Sequence, residues 1–170
     1  MGTLPHRLNP FKGLTMINTG DKAPAFKLAP KIREEVDLAN HIGKEKVVLL
    51  FFPLAFSSVC TKEMCAMRDD WSAWSKLGAK VFGISVDSPF VTDKFRADNN
   101  IPFPILSDFN KTASQAYGAY YPDFLGMKGV SKRAAFVIDS KGTVSYAWIS
   151  EEAGKEPDYA AVKAAVEKAV

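Results

Sequence analysis

Lys46-Val47-Val48-Leu49-Leu50-Phe51-Phe52-Pro53-Leu54-Ala55-Phe56-Ser57-Ser58-Val59-Cys60 is the stretch on which the reading of this chain turns. Residues 46–52 are almost wholly apolar and rich in β-branched and aromatic side chains, which suits a strand buried on both faces. From Thr61 to Leu77, Met64, Met67, Trp71, Trp74 and Leu77 recur at three- and four-residue spacing, a helical stripe that Gly78 closes. Cys60 falls between the two, at a helix N-terminus, with the Ser57 hydroxyl three residues upstream. Unpaired backbone N–H groups and the positive end of the helix dipole favour an anion there. The thiolate, not the thiol, is the nucleophile.

Working outward, the chain alternates strand and helix. Ala25–Leu28 and Glu35–Leu38 read as short extended segments around a turn, and Lys80–Asp87 as a second buried strand. Pro89–Asn99 reads as a helix capped by Ser88, Phe103–Leu106 as a short extended piece, and Lys111–Tyr117 as a short helix ending at Gly118. Ala119–Lys132 reads as a loop. Ala134–Asp139 and Thr143–Ile149 flank Ser140-Lys141-Gly142 as a hairpin, and Asp158–Ala169 is a terminal helix. This order predicts an α/β fold: one mixed central sheet with helices on both faces. Arg133 opens the strand that starts at Ala134. If that strand lies beside 46–52, its guanidinium reaches Cys60, where a fixed fork of donors suits a developing oxyanion.

Composition bounds the rest. The 170 residues fit one domain, with 47% hydrophobic and 24% charged residues and a net charge of +3. Basic and acidic residues are interspersed, so no nucleic-acid partner is expected, and no apolar run is long enough for a membrane span. Residues 1–15 have no clear period and contain Pro5 and Pro10; they read as an N-terminal extension, of a kind often disordered, before a single domain at 16–170. The two cysteines, Cys60 and Cys65, are too few for a disulfide scaffold, and a reducing cytoplasmic location is the default.

Pro53, Ser57 and Cys60 match the pattern Pro-x3-Thr/Ser-x2-Cys, with Ser in place of the commoner Thr, and Arg133 matches a distant strand-leading Arg. By these residues, and by Phe103-Pro104-Ile105-Leu106-Ser107-Asp108, the chain from about Gly20 to Val170 resembles the peroxiredoxin family, the thiol-specific antioxidant and alkyl hydroperoxide reductase group. The resemblance implies a thioredoxin-like fold and hydroperoxide reduction without a cofactor or metal. It makes Cys60 the peroxidatic cysteine, with Pro53, Ser57 and Arg133 around it. Cys-x4-Cys is similar to the bacterioferritin-comigratory (peroxiredoxin Q) pattern, in which the second cysteine, here Cys65, resolves the first. The segment Phe51–Cys65 is similar to the one-cysteine alkyl hydroperoxide reductase E group as well. Thioredoxin or a similar dithiol protein is the reductant implied, and a monomer or homodimer the assembly.

Magnitudes rank the parts of such a site. A thiol of pKa about 8.5 is roughly 7% ionised near neutral pH, and a pKa of about 6 raises that only about 13-fold. A Brønsted slope of about 0.4–0.5 returns about tenfold of this as lost nucleophilicity. Accelerations of about a million-fold therefore need orientation of the peroxide and stabilisation of the leaving oxygen. Geometry also constrains resolution. Residues five apart in an ideal helix have Cα atoms about 8.6 Å apart. A disulfide needs less than about 7 Å, so the turn from Cys60 to Cys65 is predicted to unwind before the bond closes. Cys65 falls on the face of Arg68, Asp69 and Ser72, from which unwinding is expected to release little core.

Simpler roles compete for each residue. Cys60 can be a small buried hydrophobe, Cys65 a bystander, Arg133 a surface ion-pair residue, Ser57 a helix cap and Pro53 a strand end. Trp71 and Trp74 read as core; Phe56, Tyr120 and Phe124 read as ordinary packing or an apolar collar for organic peroxides. His6 and His41 read as surface residues. Other functions compete too. A thioredoxin-type oxidoreductase usually has Cys-x2-Cys, and a zinc or copper carrier lacks further ligands here. A redox sensor shares the same activated thiol.

Overall fold

The computed structural model describes residues 16–170; the predicted extension at 1–15, with His6, lies outside them. Among the described residues nine strands and five α-helices are formed, in the order β1 (Lys27–Leu28), β2 (Val36–Asp37), β3 (Lys46–Phe51), α1 (Ser58–Asp69), α2 (Trp71–Trp74), β4 (Ala79–Ser85), α3 (Pro89–Asp98), β5 (Ile105–Ser107), α4 (Thr112–Ala116), β6 (Tyr120–Phe124), β7 (Met127–Ser131), β8 (Ala134–Ile138), β9 (Val144–Ile149) and α5 (Tyr159–Lys168). The central sheet has the order β5-β4-β3-β8-β9. β3, β4 and β5 run parallel, whereas β8 and β9 are antiparallel to their neighbours, so the sheet is mixed as expected.

The apolar run of β3 is explained by its central place. Val47, Leu49 and Phe51 face one core with Leu38, Ala113, Tyr117 and Phe136. Val48, Leu50 and Phe52 face the other, with Met64, Met67 and Trp74 from α1 and α2, Phe95 from α3, and Val162 and Val166 from α5. The strand alternation of period two thus feeds two helix-covered layers.

Three expectations are corrected. The helix predicted over 61–77 starts at Ser58 and breaks at Asp70 (φ −100°, ψ 14°), where Asp70 pairs with Lys163 of α5; a second short helix and a 3-10 turn complete the span. The segment 119–132 is not a loop but a hairpin, β6–β7, closed by Leu125 (φ 53°) and Gly126 (φ 85°). Pro122 and the exposed, weakly alternating residues hide it, although Asp123, whose Oδ1 accepts from Gly126 N at 3.0 Å, is a turn signal. His41 is half-buried rather than on the surface, with Nδ1 2.7 Å from Glu45 Oε1 and its ring edge-on to Phe82.

Candidate active site

Register places the site. Phe51 of β3 lies opposite Ala134 of β8, so Arg133, one residue before β8, emerges beside the chain as it leaves β3 through buried Pro53. The following loop is held from outside: Asp87, just past β4, accepts the Ala55 amide at 2.7 Å and the Ser85 hydroxyl at 2.8 Å on the same oxygen. Phe56 then takes a left-handed φ of 66°, unusual for a bulky residue, with its ring edge-on to Phe95 at 5.2 Å. That turn delivers Ser57 as the backbone N-cap of α1. Thr61 N donates to Ser57 O at 2.9 Å, so the preceding amides, Cys60 included, belong to the unpaired first turn.

Cys60 is 1% exposed, the third residue of α1 rather than a residue before the helix. Arg133, also 1% exposed, donates from Nη2 to Cys60 Sγ at 3.4 Å. Three of its other four N–H donors have partners as well. Nη1 pairs with Glu63 Oε2, while Nε and Nη2 both donate to Ala153 O, at 3.2 and 2.9 Å. Burial pulls the Arg133 pKa down, but the charges of Glu63 and Cys60 outweigh it, so the guanidinium stays firmly protonated.

Ser57 does not touch the sulfur, and its side chain makes no cap. Its hydroxyl donates to Leu54 O at 2.9 Å, so toward an incoming molecule it is free only to accept. Cys65 is half-buried on another side of α1, with Sγ donating to Asn99 Oδ1 at 3.7 Å, beside Arg68, whose Nη1 donates to Asn99 O at 2.8 Å. Both cysteines are free thiols and α1 is unbroken between them. The expectation that unwinding would release little core is corrected: Glu63 and Met64, between the cysteines, are fully buried.

Glu63, Asp87 and the Ala153 carbonyl are the site groups that sequence reading missed. Glu63 carried a signal, a carboxylate set among Cys60, Met64 and Met67 on the apolar stripe; Ala153 carried none, since it acts through its backbone. Glu63 is completely buried, and its Oε1 has no hydrogen-bond partner among the described residues. Burial pushes its carboxyl from 4.5 up to about 7, while Arg133 pulls it down. Between those pH values the folded protein keeps a proton that the unfolded chain has released. This group's contribution to stability is therefore full below about pH 4.5 and is lost as pH rises through about 7. In denaturant titrations, the stability of the wild type relative to Glu63→Gln is expected to fall across that window; a difference independent of pH excludes Glu63 as the titrating group.

A buried thiol at a helix start, with a guanidinium on the sulfur, is a site for nucleophilic attack on an electrophile whose leaving atom becomes an oxyanion. Comparison with known proteins identifies the class. Residues 19–147 match the model of the AhpC/TSA family, and the chain belongs to that family. It is 40% identical over 135 residues to the Coxiella burnetii protein that carries the name peroxiredoxin bcp, covering 78% of this chain and 88% of that one. It is 34% identical over 134 residues to alkyl hydroperoxide reductase E of Mycobacterium bovis, covering 78% and 85%. The crystal structure of peroxidoxin BcpB from Mycobacterium tuberculosis superposes with a TM-score of 0.78 at 29% identity, covering 88% of this chain and 96% of that one. The fold is thioredoxin-like and the protein is a thiol-dependent peroxidase of the peroxiredoxin type. Among the described residues no helix is long and apolar enough to cross a membrane.

Proposed function

We propose that Cys60 is the peroxidatic nucleophile and that Arg133, Ser57 and Pro53 shape the first oxidation. The observation that carries this reading is the 3.4 Å contact from Arg133 Nη2 to Cys60 Sγ. The thiolate attacks the near oxygen of a hydroperoxide. An S–O bond forms, the O–O bond breaks, and the departing oxygen takes a proton to leave as water or an alcohol, giving Cys60 sulfenic acid. Arg133 offsets the charge on the departing oxygen. Ser57 Oγ accepts the peroxide's hydrogen bond. Pro53, which has no N–H, closes the buried side without a competing donor.

Cys65 then attacks the Cys60 sulfenic acid, forming an S–S bond and releasing water. Because α1 holds the two sulfurs on different partners, this step requires its first turn to unwind, taking Glu63 and Met64 out of their buried places. A cytoplasmic dithiol protein such as thioredoxin completes the cycle, with the enzyme acting as a monomer or homodimer.

Intact mass and a free-thiol count after one equivalent of hydrogen peroxide test this reading. Loss of two hydrogens and both thiols within one chain is expected, and Cys65→Ser is expected to stop at the sulfenic acid and to overoxidise. Added oxygen on Cys60 with Cys65 still free would make this a one-cysteine peroxidase that needs an external thiol.

A further inference from the structure

Arg133 is held on one side by Glu63 and on the other by a backbone carbonyl, and that carbonyl belongs to a segment with no helix or strand of its own. Between β9 and α5, residues 150–158 form no helix or strand, with bends and a turn at 151–154. One end is fixed by Ser150 N donating to Arg133 O at 2.9 Å, the other by Asp158, whose carboxylate caps α5 through Ala161 N at 3.1 Å. The Ala153 carbonyl hangs between these ends. Within the span, Glu156 has two partners from outside it. Its Oε1 accepts from the Tyr159 hydroxyl at 2.7 Å, and its Oε2 lies 3.1 Å from Lys62 Nζ. Lys62 is a residue of α1, between Cys60 and Glu63.

We infer that Glu156 is a positioning residue: by joining Tyr159 and Lys62 it fixes the 150–158 strap, and the strap's Ala153 carbonyl holds Arg133 in line with the Cys60 sulfur. The inference rests on the reading of Cys60 and Arg133 proposed above. A bifurcated acceptor on Nε and Nη2 fixes the plane of a guanidinium, because the donors of Arg form a rigid fork. If the strap loosens, Nε and one Nη2 hydrogen lose their partner, and the fork is free to tilt away from the leaving oxygen. Displacements of about 1 Å at a reacting centre cost up to about a hundredfold in rate. The tie is graded. Lys62 is largely exposed and contributes little, whereas the Tyr159 hydroxyl is half-buried and contributes more. The strap also couples to resolution, since unwinding the first turn of α1 breaks Lys62–Glu156 together with Glu63–Arg133.

Rapid-mixing measurements of Cys60 oxidation by hydrogen peroxide, set beside alkylation by iodoacetamide, test this. Alkylation needs the thiolate and access but no oxyanion stabilisation. Glu156→Ala is expected to slow peroxide oxidation about tenfold, with alkylation unchanged or faster. Tyr159→Phe is expected to slow oxidation by a smaller factor in the same direction, and it stands in if Glu156→Ala does not fold. Glu156→Gln, which keeps an acceptor for Tyr159, is expected to restore most of the rate. Oxidation of Glu156→Ala and Tyr159→Phe at the wild-type rate overturns the inference. So does a Gln variant as slow as Ala, or an equal slowing of both reagents, which marks general loosening. Arg133→Ala measured in parallel separates the two layers. If it slows oxidation and the Glu156 variant does not, only the strap fails; if it has no effect either, the reading of the site fails with it.

Discussion

Cys60→Ser is expected to reduce peroxide consumption by more than about a thousandfold, to the rate of buffer with reductant alone, because a hydroxyl is barely ionised near neutral pH. The structure makes this a clean substitution. Serine is smaller by a fraction of an atom's radius, it keeps a lone pair for Arg133 Nη2, and it leaves the Arg133–Glu63 pair intact. Thermal stability is therefore expected to stay close to that of the wild type, separating lost chemistry from lost fold. Cys65 remains in the variant, half-buried beside Arg68. Its surroundings differ from those of Cys60: it has an amide oxygen of Asn99 as acceptor, no buried guanidinium on the sulfur, and no free helix-start amides. The variant thus compares two thiols of one chain, one with orienting donors and one without. Consumption in Cys60→Ser at more than about a hundredth of the wild-type rate would transfer the peroxidatic role to Cys65 and reject the assignment.

Much of this was legible because it depends on local pattern. After Lys46 the KVVLLFF run has no polar position, so only a strand covered on both faces accommodates it, and β3 occupies the centre of the sheet. Ser88 before Pro89 caps a helix where expected, through a bond to Val91 N, whereas Asp158, read as the first residue of the terminal helix, is its cap through Ala161 N. The approach of Arg133 to Cys60 was predictable because a parallel strand's end and an antiparallel strand's start share one edge, and the pairing of Phe51 with Ala134 realises it.

What was hidden depends on contacts between distant residues. Helical spacing cannot say that Asp70 turns aside to Lys163 and ends α1. The β6–β7 hairpin needs Leu125 in a left-handed conformation that propensity argues against, so its stability comes from cross-strand pairs. Glu63 sits on the apolar stripe and is among the most buried residues, but its partner comes from seventy residues away, which helical spacing cannot show. Ser57 shows the limit from the other side. Its spacing to Cys60 is legible, but the direction of its hydroxyl, toward Leu54 O, is not.

Arg133→Ala is expected to slow the first oxidation of Cys60 by about a hundredfold to a thousandfold, the loss seen when one buried donor to a developing oxyanion is removed. The fold is not indifferent to this change. Arg133 is buried and is the hydrogen-bonding partner of Glu63, so the single variant strands a buried carboxyl; removing one member of such a pair typically costs about 3–5 kcal/mol. A slow, destabilised variant alone would not separate a lost catalytic donor from a disturbed helix start. The double variant Arg133→Met/Glu63→Gln does. It removes the ionisable pair, keeps the volume of the arginine stem, and is expected to recover much of the stability, since buried ion pairs are often replaceable by neutral side chains. If Arg133 stabilises the departing oxygen, oxidation in the double variant remains slow although the fold is restored. Recovery of the wild-type rate along with stability would reduce Arg133 to a strut for α1. Peroxide rates measured beside denaturant titrations on the same samples distinguish these results. The split is sharp because Cys60 itself, its place in the first turn of α1 and the Ser57 hydroxyl are unchanged between the two variants.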